Sequence, residues 1–419
     1  MPLSPPRPVV EISRTLERAG HEAWCVGGAV RDALLGIETL DWDIATSATP
    51  TEVQRLFKRT VPVGVKFGTV GVLDAAGVLH EVTTFRHDVE TDGRHAVVKF
   101  GASLEEDLAR RDFTINAIAV HAERLEVRDP FGGKGDLAAK VVRAVGDARQ
   151  RMAEDRLRAL RALRFAGRFG FAIHPATWEA IRESAPELGR LSMERVKQEL
   201  EKVMEQVELP SATMERYREA GVFATLIPPL ASAPKERFGA LDHLAQPGLP
   251  GRPQRRAIRL AALFVEPGVP PARDLDRTLR DLKFSNAEIR DTVAYAQALG
   301  SLKRDAPMPD DPTLRRLIAA MGRLNVPAAA RLLWARARAE GHASRGFETL
   351  YRRALRIAWN DPISLDDLAV DGEDLQRAGV PAGRAVGEML RTLLEAVLDD
   401  PHRNTRDALL ALVKESGSH

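Results

Sequence analysis

"VGGAVRDALLGIETLDWDIATSATP", residues 26–50, holds a glycine pair, a helical run and two aspartates one residue apart. Gly27 and Gly28 close the β-rich "EAWCVGG" and open the helical pattern "AVRDALLG", which Gly36 ends. "DWDIAT" then reads as a strand, and on a strand side chains alternate with period two. Asp41 and Asp43 therefore share a face and repel unless solvent or a cation lies between them. A solvent-facing strand end is enough to explain a bare D-x-D. The context is more specific: glycines at a helix start, whose backbone N–H groups can face a phosphate, followed by paired acids, all within the 17 residues from Gly27 to Asp43. Glu81, on "HEVTTF", is a third acid on a β element suited to lie beside the first; its other reading is a strand acid paired with Arg86. Magnesium takes oxygen ligands, commonly one or two carboxylates plus substrate phosphates. Two such ions about 4 Å apart activate an attacking hydroxyl and stabilise a leaving pyrophosphate.

Outward from this stretch, "TPTEVQRLFK" is a helix with Thr49 as N-cap and Pro50 at its first position. "FGTVGVL" and "VLHEVTTF" form a hairpin joined at "DAAG". The mixed part ends near Val145, and from there the period is helical, as in "AEDRLRALRALRFAGRF", "SMERVKQELEKVM", "PAAARLLWARARAE" and "VGEMLRTLLEAVLDD". Proline-rich breaks place seams near residues 230, 250 and 310. The expected architecture is α+β: a small α/β head with a mixed sheet over 1–145, a helical neck over 146–230, a helical body over 231–310 and a helical tail over 311–419.

The 419 residues suffice for several cores, and 44% hydrophobic with 29% charged residues is ordinary globular composition. No apolar run approaches the roughly 18 residues of a membrane span, and the N-terminus lacks the layout of a secretory signal. A lone Cys25 fits a reducing, cytoplasmic compartment. The net charge of +2 does not itself indicate a nucleic-acid partner. The cations are nevertheless clustered, with seven arginines against two acids from Arg149 to Arg168. The histidines show no metal-ligand spacing.

In order, "VGGAVRDALLG", "LDWDIATSATP", "EEDLARRDFTINAIA", "RDPFGGKGDL", "AEDRLRALRALRFAGRFGF" and "SMERVKQEL" resemble the motif series of class II tRNA nucleotidyltransferases. These are the CCA-adding enzymes and their bacterial poly(A) polymerase relatives, within the DNA polymerase beta-like nucleotidyltransferase superfamily. The likeness covers about residues 22 to 205. It implies that Asp41 and Asp43 bind two catalytic Mg2+ ions, with Glu81 as third acid, and that Gly27, Gly28, Arg31 and Asp32 bind the triphosphate and shape the metal site. It implies that Arg111, Asp112 and Asn116 hold the ribose 2′-hydroxyl, although Asp112 also suits N-capping of "FTINAIA". On a helix, Asp155 and Arg158 are neighbours three residues apart, which unaided suggests an intrahelical ion pair. Side by side they also present an acceptor for an exocyclic amine and donors for ring acceptors. The resemblance makes them the protein template that selects CTP and ATP, oriented by Glu154, with Arg161 and Arg164 continuing a basic stripe that reaches phosphates or forms a solvated face. Asp129, Gly132 and Gly133 resemble the family's hinge, and Glu194, Arg195 and Glu199 its helix-stabilising motif.

Two departures bear on the activity. "RHDVETDGRHAVVKF" stands where the family has a flexible loop that helps switch from C to A addition, yet it lacks the tyrosine and the doubled arginine before proline; its polar residues and Gly93 suit a mobile loop. "RLAALFVEPG" carries no His-Asp pair, so no C-terminal phosphohydrolase activity is expected. The implied partners are tRNA, CTP and ATP, with no membrane and no evident protein partner. The helical body is expected to hold tRNA by shape and phosphate contacts. Open alternatives are a CC-only or A-only enzyme, a bacterial poly(A) polymerase, and a non-catalytic RNA-binding protein.

Overall fold

The computed structural model describes residues 3–39, 41–91, 96–244, 255–265, 273–302 and 308–416. They form two compact units: one of residues 1–203 with 216–231, the other of residues 204–215 with 232–419.

The first unit opens with helix α1 (Arg7–Arg18), strand β1 (Ala23–Val26), the short helix α2 (Gly28–Leu34), strand β2 (Asp43–Thr46) and helix α3 (Pro50–Leu56). The α3 start follows its sequence: Thr49 accepts from the Glu52 backbone N–H and Glu52 reaches back to Thr49, a reciprocal cap. Strands β3 (Thr60–Gly64), β4 (Thr69–Leu73) and β5 (Leu79–Thr84) follow, and β4 and β5 make the expected hairpin. The segment expected as a loop is instead an antiparallel pair, β6 (Arg86–Thr91) and β7 (Ala96–Phe100), whose register shifts between Asp88 and Glu90. Gly93, invoked for its mobility, lies outside the described residues, as does the seam near 250.

Helix α4 (Leu104–Ala109), strands β8 (Ala119–Val120) and β9 (Val127–Arg128), helix α5 (Gly133–Ala139) and strand β10 (Val141–Val142) complete the head. The principal sheet has seven strands in the order β3-β4-β5-β2-β1-β8-β9, parallel only between β2 and β5. Its core gathers Trp24, Val26, Ala45, Phe85, Leu104, Leu108 and Ala119. Helices α6 (Ala148–Glu154), α7 (Leu157–Phe169), α8 (Pro175–Ser184) and α9 (Met193–Gln206) continue the chain, with strand β11 (Ala172–Ile173) pairing in parallel with β10.

Of the two glycines read as a hinge, Gly133 is closely packed, whereas a Cβ on Gly132 would meet nothing within 4 Å. A Cβ on Gly133 would lie 2.2 Å from the Thr114 carbonyl oxygen, and Asp129 accepts from the backbone N–H groups of Gly133 (2.7 Å) and Lys134 (2.9 Å), capping α5. Close packing therefore explains Gly133 better than motion does.

The second unit is helical throughout its described residues. Helix 325–339 packs against helices 235–242, 286–301 and 345–360, with Gly239 allowing an approach in which a Cβ would stand 3.1 Å from Ala339. A separate core of Val370, Leu375, Leu393, Val397, Leu409 and Val413 joins the last helices. Among the described residues no helix is long and apolar enough to cross a membrane.

Candidate active site

After β1 the chain turns at Gly27, whose φ of 78° lies in the region that favours glycine. A Cβ there would stand 3.1 Å from Arg111 Nη1 and 3.5 Å from Asp43 Oδ2. A guanidinium and a carboxylate thus both flank the bare backbone of Gly27. Arg111 is held from behind by Asp107, which accepts from its Nη2 at 3.2 Å and from Arg110 at 2.8 Å. Asp107 was not singled out in the sequence, although its i, i+3 and i, i+4 spacing to the two arginines was visible.

Asp43 opens β2 opposite Val26, and the parallel register of Ile44 with Val82 sets Glu81 beside Asp43 on the same sheet face. Burial, then the charges of Asp41 and Glu81, push the Asp43 carboxyl up to about 6, with Arg111 pulling it down. The strand begins at Asp43, with Asp41 two residues before it and close enough for its charge to act on the Asp43 carboxyl. Trp42 is buried between them and its Nε1 donates to the Thr39 carbonyl at 3.2 Å, leaving Asp41 exposed on the preceding loop. Among the described residues no three His, Cys, Asp or Glu side chains are grouped to hold a metal ion. Neighbouring strands about 4.8 Å apart set Glu81 and Asp43 side by side, and Glu81 acts on Asp43 through its charge. Two carboxylates, one of them burdened by neighbouring negative charge, fit a hard divalent ion that draws its other ligands from phosphates and water.

A carboxylate binds metal only when ionised, so Mg2+ affinity is expected to weaken about tenfold per pH unit below about 6. The raised value means that the metal-free fold gains stability from protonated Asp43. That gain is full below the ordinary carboxylate range and lost as pH rises through about 6. Mg2+ titration by calorimetry across this window tests the point; an affinity flat with pH would remove Asp43 from the metal site.

Behind the turn lies a buried polar chain. Arg31, only 3% exposed, donates from Nε to Asp32 Oδ1 (2.7 Å) and from Nη1 to Asn116 Oδ1 (2.6 Å). Asn116 Nδ2 donates to Asp112 Oδ1 (2.9 Å), and Arg161 Nε donates to Asp112 Oδ2 (2.8 Å). Arg168 Nη2 donates to Asp32 Oδ2 (2.9 Å). The Arg31 guanidinium lies 5.0 Å from the Phe165 ring centroid and 4.8 Å from that of Phe169, so it is boxed in by aromatic faces. Burial draws the Arg31 pKa below its usual value, and Asp32 opposes that shift. In this structure the Arg31 donors serve Asp32 and Asn116, which places Arg31 behind the turn, where it shapes the site. Asp112 is an interior hub, not the N-cap of the turn that follows, since Phe113 is that turn's N-cap and makes no side-chain cap bond. The Arg161 pair with burial-opposing charge holds the Asp112 carboxyl below the usual carboxylate range.

The continuous helix expected through "AEDRLRAL" is broken. Asp155 is extended at φ −146° and ψ 103°, and it closes α6 before α7 begins. Asp155 and Arg158 consequently make no intrahelical pair. Asp155 accepts from Arg195 Nη2 (2.8 Å) and the Leu157 backbone N–H (3.1 Å). Arg158 bonds Glu154 (2.8 Å) and donates to the carbonyls of Arg151 (3.1 Å) and Arg110 (2.9 Å). Arg151 reaches the Ala109 carbonyl (3.1 Å), so two guanidinium groups satisfy carbonyls at the C-terminal end of α4. Glu154 accepts from Arg151 (2.6 Å) as well as from Arg158. Arg164 is corrected: it is 4% exposed, pairs with buried Glu199 at 2.6 Å and stacks 4.4 Å from the Phe165 centroid, so it faces the interior and not phosphates.

A family model described as "Poly A polymerase head domain" matches residues 23–143. One described as "Probable RNA and SrmB- binding site of polymerase A" matches residues 170–233, and one for tRNA nucleotidyltransferase domain 2 matches residues 256–413. The CCA-adding enzyme of Geobacillus kaustophilus (strain HTA426) is 39% identical over 409 residues, covering 96% of this chain and 95% of that protein. The chain belongs to the CCA-adding enzyme family. The family member from Geobacillus stearothermophilus is 36% identical over 407 residues, 96% of this chain and 95% of its own. Among solved structures, the Bacillus stearothermophilus CCA-adding enzyme in complex with CTP superposes with a TM-score of 0.78 at 33% identity, covering 98% of this chain and 97% of that one. The Thermotoga maritima CCA-adding enzyme complexed with tRNA shares the fold, with a TM-score of 0.70 at 23% identity over 97% of this chain and 94% of that one. Membership in the CCA-adding family matches the motif order, while the side-chain partners above belong to this chain.

Proposed function

We infer that this chain adds or repairs the 3′-terminal CCA of tRNA, using CTP and ATP without a nucleic-acid template. The tRNA 3′ hydroxyl attacks the NTP α-phosphorus; the bond from that phosphorus to the bridging oxygen breaks, and pyrophosphate leaves. The observation that carries the reading is the placement of Asp43 and Arg111 on either side of the bare Gly27 backbone, because simple RNA binding needs no half-buried, charge-burdened carboxylate beside an open backbone turn.

Asp41 and Asp43 would hold Mg2+, which supplies activation of the hydroxyl and charge neutralisation on the departing pyrophosphate; two ions are proposed. Gly27 and Gly28 leave the backbone N–H groups at the start of α2 open to the triphosphate. Asn116 and Asp112, fixed by their neighbours, contribute to ribose recognition with Arg111. Asp155 and Arg158 present opposite hydrogen-bonding character at the α6–α7 break, where cytosine and adenine each offer an amine. Residues 1–145 form the catalytic head in this reading, 146–230 the base-selecting neck, and 231–310 with 311–419 the body and tail that hold tRNA. The lone, buried Cys25, whose thiol burial pushes up to about 12, suits a cytoplasmic enzyme with no disulfide to form.

Labelled CTP and ATP, supplied separately to tRNAs ending at the discriminator base, at C and at CC, test the reading. The expected result is C incorporation on the first two and A on the third. Incorporation of C alone or A alone indicates a partial enzyme, long A tails on any RNA a poly(A) polymerase, and no incorporation a binding protein.

A further inference from the structure

We propose that Arg168, at the end of α7, is a positioning residue that sets the affinity for CTP and ATP by clamping Asp32. The inference rests on the nucleotidyltransferase reading above and extends it to a residue that touches neither metal nor base.

The buried chain has both its ends on one helix. Arg168 donates to Asp32 Oδ2 at 2.9 Å, and Arg161, two turns earlier on α7, donates to Asp112 Oδ2 at 2.8 Å. Between them run Asp32, Arg31, Asn116 and Asp112, joined at 2.7, 2.6 and 2.9 Å. Their hydrogen-bonding chemistry admits one arrangement. Arg31 can only donate, so Asn116 must turn its oxygen toward it, and an ionised Asp112 can only accept, so Asn116 must turn its NH2 the other way. The Asn116 amide is therefore aimed by the charges on either side, and Arg31 is aimed by Asp32. Asp32 has two oxygens and two cationic partners, Arg31 and Arg168. Without Arg168 its carboxylate is held from one side only and is free to rotate, loosening Arg31 and with it Asn116.

The Arg168 side chain is 25% exposed and lies over the Phe169 ring at 4.8 Å, so its truncation opens a path to water and no sealed cavity. A positioning role and a stability role therefore separate. In Arg168→Met, KM for both CTP and ATP is expected to rise about tenfold with kcat within about threefold and an unchanged thermal midpoint. CTP binding by calorimetry without tRNA should weaken by the same factor. Arg168→Lys should restore most of the affinity, since one N–H···O bond to Oδ2 is within the reach of an ammonium. In an Asp32→Asn background, Arg168→Met should add less than about twofold, because the charge it held is gone.

An unchanged KM in Arg168→Met overturns the proposal. So does a fall in thermal midpoint with a fall in kcat, no change in CTP affinity and no rescue by lysine, which would make Arg168 structural. Failure of the unaltered protein to bind or incorporate CTP points instead to failure of the functional reading on which the proposal rests.

Discussion

Asp43→Ala is expected to reduce CMP and AMP incorporation by about 10³-fold or more, equivalent to about 4 kcal/mol of transition-state stabilisation, while tRNA binding persists. The size follows from the position of the carboxylate. It stands with Arg111 at the Gly27 turn, on the face where β2 and β5 run in parallel register. Asp41, exposed on a loop, cannot replace it at that place. Asp43→Asn separates chemistry from folding, because Asp43 is raised to about 6 by burial and by the like charges of Asp41 and Glu81. Above that pH, the neutral amide removes a repulsion from the metal-free fold. The asparagine variant should therefore be inactive and at least as thermally stable as the parent. Single-turnover assays with saturating CTP, paired with thermal unfolding in chelator, give both readouts. Near-parental turnover in either variant would refute the metal role of this residue.

Arg259→Met should lower the stability of the second unit by about 3–5 kcal/mol, the range for stripping the partner from a set of buried polar groups. Arg259 has no solvent exposure. Its guanidinium donates to the carbonyls of Met204 (2.8 Å), Val207 (2.9 Å), Glu208 (2.7 Å) and Leu241 (3.2 Å). Three of these acceptors belong to the end of α9 and the residues after it, where helical carbonyls lack intrahelical partners. Methionine fills much of the volume but supplies no donor, so the carbonyls are left dry and unbonded. Lysine should recover less than half of the loss, because a single ammonium cannot span acceptors spread around a planar fork. Urea unfolding of the full chain measures the change. A shift below about 1 kcal/mol would show that water or backbone relaxation satisfies these oxygens.

Local signals were legible wherever one neighbour decides the outcome. The Thr49 cap with Pro50 and Glu52 and the β4–β5 hairpin needed only adjacent residues, and both formed as read. The segment 86–100 misled because its polarity suggested a loop, while its two halves pair antiparallel through backbone groups that composition does not reveal. At the site, residue identity was legible and partnership was not. Asp155 and Arg158 sit at helical spacing, but the backbone leaves the helix at Asp155, and Arg158 turns to the Arg110 carbonyl 48 residues away.

By itself the sequence determined the order of elements, the membership in a nucleotidyltransferase family, the glycine pair at the end of β1 and the acids at the start of β2, because each depends on residues close together in the chain. Only the tertiary structure decided which charges serve the interior. Arg164 read as part of a stripe that reaches phosphates or forms a solvated face, and Arg31 as part of the triphosphate motif; packing against Phe165 buries both and gives them Glu199 and Asn116. A buried ion must find its counter-charge wherever the fold brings one, and distance along the chain does not reveal where that is.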